Sequence, residues 1–178
     1  MPRLRALALL LLVLLVPAQV PAQAAAEDIV LDEARRQALA ELPLLRGAAV
    51  APGDLQGRVV IVAFFASWCP PCGPEFDNLK AVHADHDPVV LAVNIFETWT
   101  GDNDPGRLER FLKRRAPGFP ILGDGEAVAH LFGKVNRIPT VFVFGRDGRP
   151  ELHFVHAQGA KKTHATREEL DAAIRAAL

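Results

Sequence analysis

Sulfur is scarce in this 178-residue chain: two cysteines, Cys69 and Cys72, and one methionine, Met1. Two cysteines permit a single bridge, which excludes a disulfide framework as the basis of the fold. No second Cys-x-x-Cys and no histidine pair at ligand spacing completes a zinc site with them. A basic excess is also missing. The formal net charge is −1, which argues against nucleic acid as a partner. No internal repeat recurs, and no apolar run reaches the roughly 20 residues of a membrane-spanning helix.

What is present begins with a targeting pattern. Arg3 and Arg5 form a short basic region, residues 6–16 are apolar, and Ala22-Gln23-Ala24 suits a cleavage site. Residues 1–24 are therefore expected to be a secretory signal peptide, with an uncleaved membrane anchor as the alternative. No cysteine stands directly after the apolar region, which excludes a lipoprotein. Removal of the signal takes the charge to about −3 and leaves about 150 residues, enough for one domain with a sizeable core. Residues 25–43 are expected to form a helical N-terminal extension, and residues 44–178 the domain itself. Export would place the cysteine pair where disulfides persist.

Hydrophobic periodicity and punctuating residues outline the elements. Ile29, Leu31, Ala34, Ala38, Leu39 and Leu42 predict a helix over 27–42, stopped by Pro43. The stretch 44–58 reads as short strands broken by Gly47, Pro52-Gly53 and Gly57. Residues 59–65 are a continuous apolar run, hence a central strand buried on both faces. Pro70 and Pro71 suit a helix start, and a helix follows to about His86. A second buried strand is expected at 89–96. A helix at 107–115 would be capped by Asp104, with Pro105 at its first position. Then come a short strand at 119–122, a helix at 126–132 and a strand at 140–144. A hairpin leads to 151–156, and Thr166 with Glu169 makes a capping box for a last helix. The predicted class is α/β, a mixed sheet flanked by helices around one core.

The cysteines fall where the first central strand ends and its helix begins. Free backbone N–H groups and the helix dipole at that point favour a Cys69 thiolate and a pKa below the ordinary value of about 8.5. Cys72 lies one turn later and is less accessible. Cys69 is thus expected to attack a disulfide and Cys72 to resolve the mixed disulfide. A static staple is the competing reading, but closing so short a loop stabilises by only roughly 2 kcal/mol.

"FFASWCPPC" after a buried strand, "AVNIFE" in the next strand, "RIPTVFVFGRDGR" about seventy residues on and a C-terminal helix carry a likeness. Over 44–178 the chain resembles the thioredoxin superfamily, and within it the TlpA-like and ResA-like exported thiol-disulfide oxidoreductases. The resemblance implies a thioredoxin fold with an N-terminal hairpin and a central insertion at 93–121. It implies a redox-active Cys69–Cys72 disulfide, with Trp68 shaping the surface beside it. It also implies a cis Pro139 against the sulfurs, and Ile138 offering its backbone to a bound client strand. An ordinary core aromatic at 68 and a trans strand-edge proline at 139 are the plain alternatives.

The chain departs from the family pattern in several places. Ala63 and Ala92 stand where a buried aspartate and its lysine partner often form a proton relay. Glu75 matches an acid that TlpA-like and ResA-like proteins have after the second cysteine, and Glu97 matches another. A carboxylate there could accept a proton from Cys72 if burial raises its pKa toward neutrality. A first-turn helix charge at Glu75 and a solvated loop acid at Glu97 are the alternatives. Gly73-Pro74 replaces a basic residue and a later proline, so Pro74 is expected to alter the first helical turn and the placement of Glu75. His83, His86, His153 and His156 read as solvated histidines, and Arg110, Lys113, Arg114 and Arg115 as a solvated face.

The resemblance implies a periplasmic protein-disulfide reductase with no cofactor and no metal, expected as a monomer. Its partners would be disulfide-containing exported clients, such as apocytochrome c or copper-site assembly proteins, and a membrane-bound thiol electron donor. Two alternatives remain: a thiol oxidase, and a non-catalytic thioredoxin-fold module that holds a metal or a partner. A peroxiredoxin-type peroxidase is disfavoured, because Ala66 occupies the position of its threonine.

Overall fold

The computed structural model describes residues 29–101 and 104–178. The expected signal segment at 1–24 and the first residues of the expected helix at 27–42 lie outside them. In chain order the elements are α1 (Glu33–Ala40), β1 (Leu44–Arg46), a 3-10 turn (Pro52–Leu55), β2 (Val60–Phe65), α2 (Cys72–His86) and β3 (Val89–Asn94). They continue with α3 (Arg107–Arg115), β4 (Ile121–Leu122), α4 (Glu126–Leu131), β5 (Thr140–Phe144), β6 (Pro150–Val155) and α5 (Arg167–Ala176).

Six strands form one sheet in the order β1-β4-β3-β2-β5-β6. β2 runs parallel to β3, and β3 to β4, while β1, β5 and β6 pair antiparallel with their neighbours. Every residue of β2 is buried, and its last two side chains show why. Successive side chains point to opposite faces of a strand. Phe64 packs on Phe132 beyond α4, with ring centroids 5.5 Å apart. Phe65 packs on Phe76 of α2 at 4.7 Å and on Phe111 of α3 at 5.6 Å. One aromatic pair therefore fills both layers, with α2, α3 and α5 on one face and α1 and α4 on the other. The carboxyl end of β2, in the middle of the sheet, delivers the cysteine pair.

Several boundaries differ from expectation. No N-terminal hairpin forms among the described residues. Residues 44–46 make an edge strand on β4, and the next segment closes into the 3-10 turn. Pro52 has no N–H for a ladder, and Asp54 accepts a hydrogen bond from Ala51 N at 2.9 Å. Segment 93–121 supplies the end of β3, α3 and the start of β4, which widens the sheet beyond β3. α1 starts at Glu33 because Asp32 caps it, accepting from Arg35 N at 2.9 Å. β3 stops at Asn94, and Phe96 turns into the left-handed region with φ 58°. α3 has the expected span, but its cap is Gly106; Asp104 instead accepts from Gly106 N at 3.0 Å and pairs with Arg110. Among the described residues no helix is long and apolar enough to cross a membrane.

Candidate active site

Cys69 and Cys72 are joined by a disulfide between the end of β2 and the start of α2. Cys69 is 4% exposed and Cys72 fully buried. α2 begins at Cys72 itself, with Pro71 as its cap. This corrects the expectation of free amides beside Cys69. Pro70 and Pro71 have no N–H, Cys72 N donates to Cys69 O, and Gly73 N donates to Pro70 O, each at 3.2 Å. The field left to act on the Cys69 sulfur comes from the helix dipole and from nearby charges.

Pro74 does not distort the turn. It is the third residue of α2, where a helix leaves its N–H groups unpaired in any case. Glu75 N still donates to Pro71 O at 3.3 Å. The Glu75 side chain turns inward and is 1% exposed. Its Oε2 accepts from Ala165 N at 2.8 Å, while Oε1 is buried with no hydrogen-bond partner among the described residues. Burial pushes the carboxyl from the ordinary 4.5 up to about 8, against the opposing pull of the Ala165 N–H and of Lys162. Ala63 and Ala92 face each other across β2 and β3, both buried, so no ionisable pair exists there.

On the solvent side of Cys69 lies a groove of about 330 Å³. Trp68, Cys69, Phe96, Trp99, Ile138 and His156 line it. Trp68 Nε1 donates to Phe96 O at 2.7 Å, and Phe96 N donates to Glu126 Oε1 at 2.9 Å. These bonds hold Phe96 in its left-handed conformation. Trp99 stacks on the Phe96 ring at 4.8 Å and is 68% exposed. The Ile138–Pro139 peptide is cis. Ile138 O lies 3.2 Å from His156 Nδ1, and His156 N donates to Pro139 O at 3.1 Å. The structure thus brings Trp68, Cys69 and Ile138 to one groove, with Cys72 and Glu75 buried in the first turn of α2 behind it. A larger cavity of about 830 Å³ lies elsewhere, lined by Ile29, Arg35, Leu131, Phe142 and His153, and neither cysteine reaches it.

Glu97 is a bracket rather than a solvated loop acid. It accepts from Ser67 N at 3.0 Å, from Asn94 Nδ2 at 2.9 Å and from the Ser67 hydroxyl, which fixes the turn ahead of Trp68 and Cys69. Arg115 is not simply part of a solvated face either. Its Nη1 donates to Asp77 Oδ2 at 2.8 Å, and it borders a second, smaller cleft shared with Cys69. His86 pairs with Asp171 at 2.9 Å and His153 stacks on Phe142 at 4.1 Å, so these histidines are engaged. Among the described residues no three metal-ligating side chains come together. Sequence reasoning missed Phe96, Trp99, His156 and Arg115. Only Trp99, a tryptophan in a polar loop, carried a visible signal.

The sequence matches the Redoxin family over residues 21–174. It is 28% identical over 120 residues to the thiol-disulfide oxidoreductase ResA of Halalkalibacterium halodurans, covering 65% of this chain and 62% of that one. It is 26% identical over 117 residues to sporulation thiol-disulfide oxidoreductase A of Bacillus subtilis, covering 64% of this chain and 69% of that one. The chain therefore spans roughly two thirds of the length of these relatives. A solved structure from Chlorobium tepidum, described as a thiol:disulfide interchange protein DsbE, aligns with a TM-score of 0.57 at 30% identity. That alignment covers 78% of this chain and 94% of that one. The mixed six-stranded sheet with its flanking helices is a thioredoxin fold. The family match extends over most of the sequence and takes in the cysteine pair, Glu75 and the cis proline, and the chain belongs to the Redoxin family.

Proposed function

We propose that the protein is an exported thiol-disulfide oxidoreductase that reduces disulfides in client proteins through Cys69 and Cys72. The observation that carries this reading is a disulfide at a helix start, opening on an apolar groove, with a buried acid one turn behind it. The likeness to ResA and to sporulation thiol-disulfide oxidoreductase A supports the same chemistry.

In the dithiol form, the Cys69 thiolate attacks one sulfur of a client disulfide. That bond breaks, a mixed disulfide forms, and the first client sulfur leaves and takes up a proton. Cys72 then gives up its proton and attacks Cys69 Sγ. The Cys69–Cys72 bond forms, and the second client sulfur leaves. Two electrons pass to the client; the proton Cys69 lost on ionising and the one Cys72 gives up are balanced by the two protons that the client thiolates take up from solvent. With a pKa of about 8, Glu75 is largely protonated at neutral pH. Three residues after Cys72 on the same helix, it would return a proton to Cys72 when a donor reopens the disulfide, and its ionised fraction would accept that proton in the forward step. Trp68, Phe96, Trp99 and Ile138 would bind the client strand. The Ile138 carbonyl, already aimed by His156, keeps a second lone pair for a client N–H.

The signal pattern at 1–24 supports export, after which residues 44–178 would act with the extension 25–43 attached. Clients such as apocytochrome c or copper-site assembly proteins fit a reductant in an oxidising compartment. A membrane-bound thiol donor would refill the dithiol, because that compartment is kept oxidising. The test is the dithiothreitol-driven reduction of insulin, with the reduction potential measured alongside. Acceleration that Cys69→Ser abolishes, with a potential near thioredoxin's, about −270 mV, is the expected result. A potential near −120 mV would make the protein an oxidase. No acceleration at all would leave a binding module and overturn the reading.

A further inference from the structure

Gly73 and Arg115 are fitted to each other. Arg115, the last residue of α3, lays its guanidinium against the first turn of α2. A Cβ on Gly73 would overlap Arg115 Nη2 and stand 2.8 Å from its Cζ. The guanidinium is held in this place from several sides. Nη1 donates to Asp77 Oδ2 at 2.8 Å and Cζ lies 6.0 Å from the centroid of the Phe111 ring, while Lys80 Nζ fixes the Arg115 backbone by donating to its carbonyl at 2.8 Å. The cleft beside it, about 140 Å³, is lined by Ser67, Cys69, Gly73, Arg114 and Arg115.

We propose that Arg115 is a positioning residue that tunes Cys69: its guanidinium, admitted by the missing side chain at Gly73, supplies positive field at the start of α2. This inference rests on Cys69 being the nucleophile. The amides of Cys72 and Gly73 are tied to carbonyls of the preceding turn, and the two prolines have none to offer. A charge from another helix fills that role. The charged or titratable groups around this turn are Arg114 and Arg115 from α3, Asp77 and Glu75 from α2, Glu97 from the loop after β3, and, across the groove, Arg137 ahead of β5 and His156 after β6. Asp77 offsets part of the Arg115 charge. Glu97 is bonded to Ser67 and Asn94, and Glu75 is largely neutral at pH 7. The Arg115 guanidinium, the charge that abuts the first turn of α2 at Gly73, favours the thiolate over the thiol, and with it the dithiol form over the disulfide.

The test is the pH profile of Cys69 alkylation in the reduced protein, with Arg115→Met, Gly73→Ala and the double variant. Gly73→Ala leaves every ionisable group in place and adds one methyl at a helical position that favours alanine. The atoms it meets are the far end of a flexible side chain, so the guanidinium moves and the fold stays. Each single variant is expected to raise the alkylation midpoint by roughly half a pH unit or more. The double variant should sit no higher than Arg115→Met alone, and Arg115→Lys should restore part of the shift. The equilibrium with glutathione should move toward the disulfide in the same variants. An unmoved midpoint in Gly73→Ala, or additive shifts in the double variant, would overturn the proposal. Wild-type insulin reduction, run in parallel, separates the two failures. An active protein with an unmoved midpoint contradicts this inference alone, and an inactive one contradicts the functional reading.

Discussion

Burial raises the Glu75 carboxyl into the neutral range. The unfolded chain releases this proton near 4.5 and the folded chain near 8. Between those values the folded state binds more protons, so the stability that the raised pKa provides is present below 4.5 and is lost as pH rises through 8. At roughly 1.4 kcal/mol per unit the whole loss is on the order of 5 kcal/mol. Glu75→Gln keeps an acceptor for the Ala165 N–H and removes the ionisation. Denaturant unfolding of the oxidised protein from pH 5 to pH 9 should show wild-type stability falling and the Gln variant nearly level. Parallel curves for the two would contradict the buried, titrating carboxyl. The same variant should change the pH profile of cysteine alkylation, since the acid and the thiols titrate as a coupled set. The position of this acid was legible, three residues past Cys72. Its burial was not, because Pro74 suggested a broken turn. A missing N–H matters only beyond the first four positions of a helix. The wall that Phe96 makes with Trp99 was hidden for a different reason, although a tryptophan in a polar loop was itself a visible signal. Their wall depends on a left-handed turn at a bulky residue, which nothing in local propensity announces.

Among the elements, those with a long period or a capping signature were readable. α3 has the span expected from its pattern, and α5 is closed by the box expected at Thr166 and Glu169. Thr166 Oγ1 accepts from Glu169 N at 3.3 Å, and Glu169 Oε2 accepts from Thr166 N at 2.9 Å. The residue just before that box, Ala165, donates its N–H to Glu75, so the cap also steadies the carboxyl's only hydrogen bond among the described residues. Thr166→Ala should lower stability by about 1 kcal/mol in urea unfolding. An unchanged midpoint would show that the box contributes nothing here. β1 and β4 were harder to read. They are three and two residues long, too short for a period, and they pair with each other across more than half of the domain. Such non-local edge pairing leaves no local mark, so 44–58 read as a set of strands where the chain makes one strand and a 3-10 turn.

At the scale of the whole molecule, the sheet places chemistry by the order of its strands. β2 lies between β3 and β5, so its carboxyl end carries Cys69 next to two connections. The loop after β3 brings Phe96, Glu97 and Trp99, and the connection into β5 brings Ile138 and Pro139. The central strand and the cysteine turn were plain in the apolar run at 59–65. The pieces that complete the site come from chain segments about 30 and 70 residues away, whose approach only the fold reveals. On the proposed function, attack falls to Cys69, which lines the groove, and resolution to Cys72, which is fully buried. The most direct test is covalent trapping of a disulfide-bonded model peptide by reduced Cys72→Ser and Cys69→Ser variants, read by intact mass. The account predicts a stable mixed disulfide on Cys69 of the Cys72→Ser protein and almost none on the Cys69→Ser protein. Equal trapping by both variants, or trapping mainly through Cys72, would contradict it.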